Sequence, residues 1–128
     1  MQILLDTHAL LWLLTDSPSL PAKWRRKLTA TGTEVFYSSV SILEIAIKHS
    51  LKPEAMPCPP EEVEAAAEAS GLTLIPFNSA HAKALGLLPW LHRDPFDRML
   101  ISQARVEGFV LLTHDEDVIR YGDGVVGF

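Results

Sequence analysis

A chain of 128 residues is long enough for one ordinary domain and too short for two. Apolar residues make up 48% and charged residues 21%, which excludes intrinsic disorder, and no apolar run approaches a membrane span. Eleven Lys and Arg against 16 Asp and Glu give a formal charge of −5, which does not suggest a nucleic-acid binder. Charge alone does not decide this, because carboxylates around a bound divalent metal do not count as free charge and Lys23, Arg25, Arg26 and Lys27 form a local basic cluster.

In chain order, Ile3-Leu4-Leu5 is a short buried run, followed by a helix over 8–14. Pro21 suits a helix start, and 22–30 reads as helical up to Gly32. Val35-Phe36-Tyr37 is a second strand. A long helix over 40–51 is stopped by Pro53, and the four prolines of 53–60 mark a loop. Residues 61–69 are helical, with acids favourably placed at the start. Leu72 to Ile75 is a third strand, 79–85 a short helix and 95–106 a helix closed by Gly108. Phe109 to Thr113 is a fourth strand, and Val125-Val126 a short fifth. Strands alternating with helices predict a parallel sheet with right-handed crossovers, covered on both faces. Ligands of such sheets bind beyond the carboxyl ends of the strands.

Asp6 immediately follows the first strand, and Asp115 lies two residues after Thr113 at the end of the fourth. Each suits an N-cap, but the pair at two central strand tips favours a site. On the 40–51 helix, Val40, Leu43, Ala46, Ile47 and Leu51 form the main apolar face. Ser41, Glu44 and Lys48 form a narrow polar stripe. Glu44 is either a buried carboxylate needing a partner or metal, or half of an exposed i, i+4 pair with Lys48 worth ~0.3 kcal/mol.

The run His92-Arg93-Asp94-Pro95-Phe96-Asp97-Arg98 is the densest polar segment. Asp94 before Pro95 reads as an N-cap, and Asp97 at N3 is the better ligand. Lys48 and Arg98 are candidates for phosphate contact, or for pairing with neighbouring acids. His8 and His81 read as ordinary helix residues.

There is no Walker A sequence, no G-x-G-x-x-G turn, no H-E-x-x-H pair and no G-x-S-x-G elbow. A receiver-type domain would want an aspartate after the third strand and a late lysine; the chain has Pro76-Phe77-Asn78 there, and no lysine after Lys83. An all-oxygen cluster of Asp and Glu suits Mg²⁺ or Mn²⁺, cations that act on phosphates. The lone Cys58 excludes an internal disulfide and suits a reducing cytoplasm. Without a basic segment before the first apolar run, a signal peptide is not expected.

Four segments, LLDTHALLWLL (4–14), SSVSILEIAIKHSLK (38–52), HRDPFDRMLISQA (92–104) and LLTHDEDVIRY (111–121), resemble in order the motifs of the PIN-domain family, specifically VapC-type toxins of type II toxin–antitoxin pairs. The resemblance implies a single domain over 1–128, a three-layer α/β/α PIN-like fold around a mostly parallel sheet of four to five strands. It implies a Mg²⁺- or Mn²⁺-dependent endoribonuclease acting through a metal-activated water. Asp6, Glu44, Asp97 and Asp115 match the family's acids. Asp94, Thr7 and Thr113 match positions beside them. RNA as substrate, a cognate antitoxin and a homodimer are further implications. A non-catalytic binding module, a metal-dependent phosphatase and a DNA nuclease remain as other readings. Trp12, Leu13, Trp24 and Trp90 exceed what a small core needs, so some are expected at an interface.

Overall fold

The computed structural model describes residues 1–128. Consecutive apolar residues in β1 (Gln2–Leu5) face alternately: Ile3 and Leu5 enter one core cluster and Leu4 the other, and all three are fully buried. Strand β1 lies at the centre of a five-stranded sheet. Its other strands are β2 (Glu34–Ser38), β3 (Thr73–Ile75), β4 (Val110–Thr113) and β5 (Val125–Gly127), in the order β3-β2-β1-β4-β5. All four pairings are parallel, so the expected mostly parallel sheet is wholly parallel.

Helices α1 (Thr7–Leu14), α2 (Ala22–Leu28) and α4 (Pro60–Ala69) contribute Leu10, Trp24, Val63 and Ala67 to one core. On the other face, α6 (Pro95–Glu107) and α7 (Glu116–Ile119) contribute Leu100, Ile101, Ala104 and Val118, while α5 (Ser79–Leu85) packs on α6. The result is the expected three-layer α/β/α arrangement. Gly108 ends α6 in the left-handed region, with φ of 72°, which lets the Phe109 amide reach back to Ala104 O at 2.9 Å.

Helix α3 (Ser39–Leu51) contacts α1, α4 and α6. Its orientation reverses the expectation from its apolar stripe. Leu43, Ile47 and Leu51, at i, i+4 and i+8, are exposed, whereas Ser41 and Glu44 are buried with Val40 and Ile45. Ser41 and Glu44 of the polar stripe face inward because they meet polar partners there, described below, while Lys48 is exposed at its end. Of the tryptophans, Trp24 is a core residue, Trp12 is half-buried against the same core, and Trp90 is 78% exposed. The short α7 was not expected; a single turn is too brief to show a helical period. No helix is long and apolar enough to cross a membrane.

Candidate functional site

The strand order changes direction between β1 and β4, since the chain leaves β1 towards β2 on one side and returns to β4 on the other. Leu5 pairs with Leu112, so the next residues of the two strands, Asp6 and Thr113, become neighbours. The Thr113 hydroxyl donates to Asp6 Oδ2 at 2.5 Å and accepts from the Asp115 amide at 3.1 Å. One buried hydroxyl thereby ties the Asp6 carboxylate to the Asp115 backbone, joining the two residues expected at the strand tips.

A cleft of about 160 Å³ opens there, lined by Asp6, Thr7, His8, Glu44, Lys48, Asp94, Asp97, His114 and Asp115, with no apolar side chain. A larger concavity of about 560 Å³ lies at the opposite sheet edge, around Glu34 and Thr73 where β2 and β3 begin. Its only charged residues are Glu34 and Arg25, and Arg25 is already paired with Asp16 at 3.0 Å. It offers no cluster of reactive groups; the acids gather in the smaller cleft.

Capping and cleft membership coexist. Asp6 Oδ1 caps α1 by accepting from the Ala9 amide at 2.7 Å, leaving Oδ2 for Thr113. Asp94 Oδ1 accepts from the Phe96 and Asp97 amides at 2.8 and 3.2 Å, capping α6. Asp115 Oδ1 caps α7 through the Asp117 amide at 2.8 Å, while its Oδ2 faces His92. Each cap occupies one oxygen of a carboxylate that has two. The α1 and α6 N-termini also offset some of the negative charge gathered here.

Glu44 is 5% exposed, not a surface residue. It accepts from the Thr7 hydroxyl at 2.7 Å, and Thr7 Oγ1 also lies 3.0 Å from Ser41 Oγ, which is free to donate to it. The i, i+4 pair with Lys48 nevertheless forms, at 2.5 Å. Glu44 is thus both a cleft carboxylate and the partner of Lys48. Burial alone would lower the Lys48 pKa, but the hydrogen bond and charge of Glu44, with Asp94 and Asp97, raise it.

Sequence reasoning gave His92 no role. Its Nε2 lies 2.7 Å from Asp97 Oδ2 and 3.8 Å from Asp115 Oδ2, and its Nδ1 lies 3.8 Å from Asp117. Burial works against its charge, but Asp97, Asp115 and Asp117 outweigh that and raise its pKa. Its position five residues before Asp97 in one polar run was the available signal. His8, on the first turn of α1, lies on the rim of the cleft and is exposed. His81 is structural: buried, it accepts at Nδ1 from the Asn78 amide at 2.9 Å, and its Nε2 lies 2.9 Å from Glu107.

Arg98 does not reach the cleft. It is 2% exposed, and its guanidinium donates to Pro89 O at 2.9 Å, Tyr121 Oη at 3.0 Å and Leu85 O at 3.3 Å. It also lies 3.8 Å from the centre of the Trp90 ring. These contacts consume the guanidinium, which meets neither phosphate nor a neighbouring acid, the two roles the sequence left open for it.

Burial and the nearby Asp94 and Asp115 raise the Asp97 pKa to about 6, against the opposing pull of His92. Burial also raises Asp6, despite hydrogen bonds from Thr113 and Ala9. Carboxylates pushed towards protonation by burial and crowding are those a bound cation relieves. Ligand atoms of His92, Asp94 and Asp97 lie within 4.8 Å of one another. Asp6, Glu44 and Asp115 line the same cleft, and their carboxylate oxygens are donors of the kind a hard divalent cation takes.

The PIN domain family model matches residues 3–124. No curated protein matches the sequence. Among solved structures, the chain is similar to VapBC2 from Rickettsia felis bound to a DNA fragment from its promoter. That match has a TM-score of 0.71 and 18% identity over 100% of this chain and 98% of that one. A toxin–antitoxin complex from Klebsiella pneumoniae matches with a TM-score of 0.63 and 17% identity, over 97% of this chain and 95% of that one. A domain of a functionally unknown protein from Methanocaldococcus jannaschii DSM 2661 matches with a TM-score of 0.60 and 14% identity, over 99% and 90%. At these identities the likeness is one of fold.

Proposed function

Because this chain belongs to the PIN-domain family, we propose that it is a Mg²⁺- or Mn²⁺-dependent endoribonuclease, the toxin of a toxin–antitoxin pair. PIN domains are generally metal-dependent nucleases. The observation that carries the reading is the convergence of Asp6, Glu44, Asp97 and Asp115 on one wholly polar cleft at the switch point of the sheet.

In this reading those four carboxylates hold the cation, with Asp94 beside them. The cation, when bound, neutralises phosphoryl oxygens and acidifies water. The chain's own groups do the rest. Thr113 fixes the rotamer of Asp6, and Thr7 that of Glu44. Asp97 must be ionised to serve as a ligand, and the His92 proton holds it so until cation arrives. Glu44, buried and hydrogen-bonded, is suited to orient water or receive its proton. Lys48 beside Glu44 is the remaining cation of the cleft suited to a phosphate oxygen.

The partners in this reading are RNA, a cognate antitoxin and a second copy of the chain. Solved structures of similar fold include toxin–antitoxin complexes, which favours the antitoxin. The exposed Leu43, Ile47 and Leu51 of α3 offer an apolar stripe for the second copy. Cys58 is a free cysteine, in keeping with a cytoplasmic setting. The test is cleavage of an RNA panel with Mg²⁺ or Mn²⁺, against the Asp6→Asn variant. Cleavage that needs the metal and is lost in the variant supports the reading. Metal-independent cleavage, or none by either protein, refutes it.

A further inference from the structure

Four aromatic rings meet at one rim of the acidic cleft. The His8 and His114 ring centres lie 5.1 Å apart, edge to face. Trp12 lies 4.6 Å from His114 and 5.5 Å from His8, and Phe128 lies 5.9 Å from Trp12. Trp12 and Phe128 pack against the core and form the support. Packing explains those two rings. It does not explain the two histidines, which are exposed and line the cleft itself.

The sequence positions of the histidines tie them to the acids. His8 follows Asp6 by two residues, and His114 stands between Thr113 and Asp115. A phosphate held through a cation on those carboxylates would sit in the cleft that the two histidines line, with its attached nucleoside beside the rings. Free cations are scarce here: Lys48 is paired with Glu44, His92 with Asp97, and Arg98 is buried. A net charge of −5 adds no general attraction for a polyanion. Stacking on an aromatic face needs no net charge and accepts any base, but only a base whose own face is not covered by a neighbour.

From this arrangement we infer that His8 and His114, backed by Trp12, form a stacking platform that positions an unpaired base beside the acidic cleft. The inference rests on the nuclease reading and deepens it. The histidines here are positioning residues that act through their ring faces, and an aromatic ring without nitrogen should replace them.

The test uses a randomised, fluorescein-labelled 20-nucleotide single-stranded RNA and a blunt duplex of equal length, with binding followed by anisotropy in Ca²⁺. The proteins are the wild type, His8→Ala/His114→Ala and His8→Phe/His114→Phe. Both positions are exposed, so melting temperatures should change little. The alanine pair should weaken single-strand binding about ten-fold, the loss expected of a stacking platform. The phenylalanine pair should bind within about two-fold of wild type, and the duplex should bind weakly to all three. Unchanged binding by the alanine pair, equal losses in both pairs, or tight duplex binding overturns the platform. Cleavage by wild type against Asp6→Asn, read separately with Mn²⁺, reports on the nuclease reading alone.

Discussion

The hydroxyl of Thr113 donates to Asp6 Oδ2 at 2.5 Å, joining residues 107 positions apart at the tips of β1 and β4. The same oxygen accepts from the Asp115 amide. Thr113→Val keeps the volume, removes both bonds and leaves two buried groups short of a partner. A loss of about 1–3 kcal/mol is expected in urea denaturation. Without the Thr113 bond, which lowers the Asp6 pKa, Asp6 should protonate more readily and Mn²⁺ should bind more weakly. Unchanged stability and unchanged Mn²⁺ affinity would remove Thr113 from the site.

Stability of the metal-free protein should fall with rising pH. Asp97 titrates near 6 when folded against 3.8 as a free group, so the folded form holds the extra proton between those values. Stability from this source is present at low pH and lost as pH rises through about 6. The raised His92 pKa acts in the same direction: its contribution is full below 6.5 and lost as pH rises through the folded value. Melting temperatures in EDTA should be higher at pH 5.5 than at pH 8 (about one unit below and about 1.5 units above an unperturbed histidine). Asp97→Asn removes the acid and the main partner of His92, and should flatten the slope. A rising or flat wild-type profile would contradict this account.

The divalent cation should oppose that trend. A ligand that binds only the folded form stabilises it by about 2.7 kcal/mol at a hundred times its Kd. Mg²⁺ or Mn²⁺ should therefore raise the melting temperature, and more so above pH 6, where Asp97 is ionised. Calorimetry in two buffers of different ionisation enthalpy should detect proton release on Mn²⁺ uptake. An equal thermal shift in Asp97→Asn would place Asp97 outside the site.

Much of this site could be read from the chain because its acids stand at positions topology dictates. Asp6 and Asp115 follow apolar runs that can only be central strands, and parallel strands deliver their ends to one edge. Glu44 was harder. Hydrophobic periodicity turns the stripe of Leu43, Ile47 and Leu51 inward, whereas the helix turns Glu44 inward to meet Thr7. A period reports that two faces differ, not which one finds the better partners. His92 acts across a loop onto Asp97, Asp115 and Asp117, a relationship that no local spacing encodes. Arg98 is enclosed by backbone carbonyls of 85 and 89 and by Tyr121, which also come together only in the fold.

Arg98 provides a sharp contrast between structural and substrate-binding roles. Arg98→Ala leaves the acceptors of Pro89, Leu85 and Tyr121 short of a donor and uncovers Trp90. A destabilisation of about 2–4 kcal/mol is expected. Stability equal to wild type, with only KM raised, would restore the phosphate-binding role.

Leu43, Ile47 and Leu51 should support self-association. Light scattering should give a dimer for the wild type and a monomer for Ile47→Glu, which places a charge in the middle of the stripe. Ile47 is itself exposed, so the variant should keep its fold. A monomeric wild type would remove the second copy from the partners.

The shared acidic site is tested most directly by a double-mutant cycle on Asp6→Asn and Asp97→Asn, with RNA cleavage in Mn²⁺ and thermal melting measured on the same samples. If the carboxylates hold one metal site, either substitution lowers cleavage by orders of magnitude, and the second adds far less than the first. Relief of carboxylate crowding keeps the metal-free fold intact or strengthens it. If the aspartates serve the fold alone, each substitution costs stability, with about 1 kcal/mol expected for the lost cap at Asp6. The costs then add, and cleavage persists in the folded fraction. Additive destabilisation with intact cleavage would contradict the shared site.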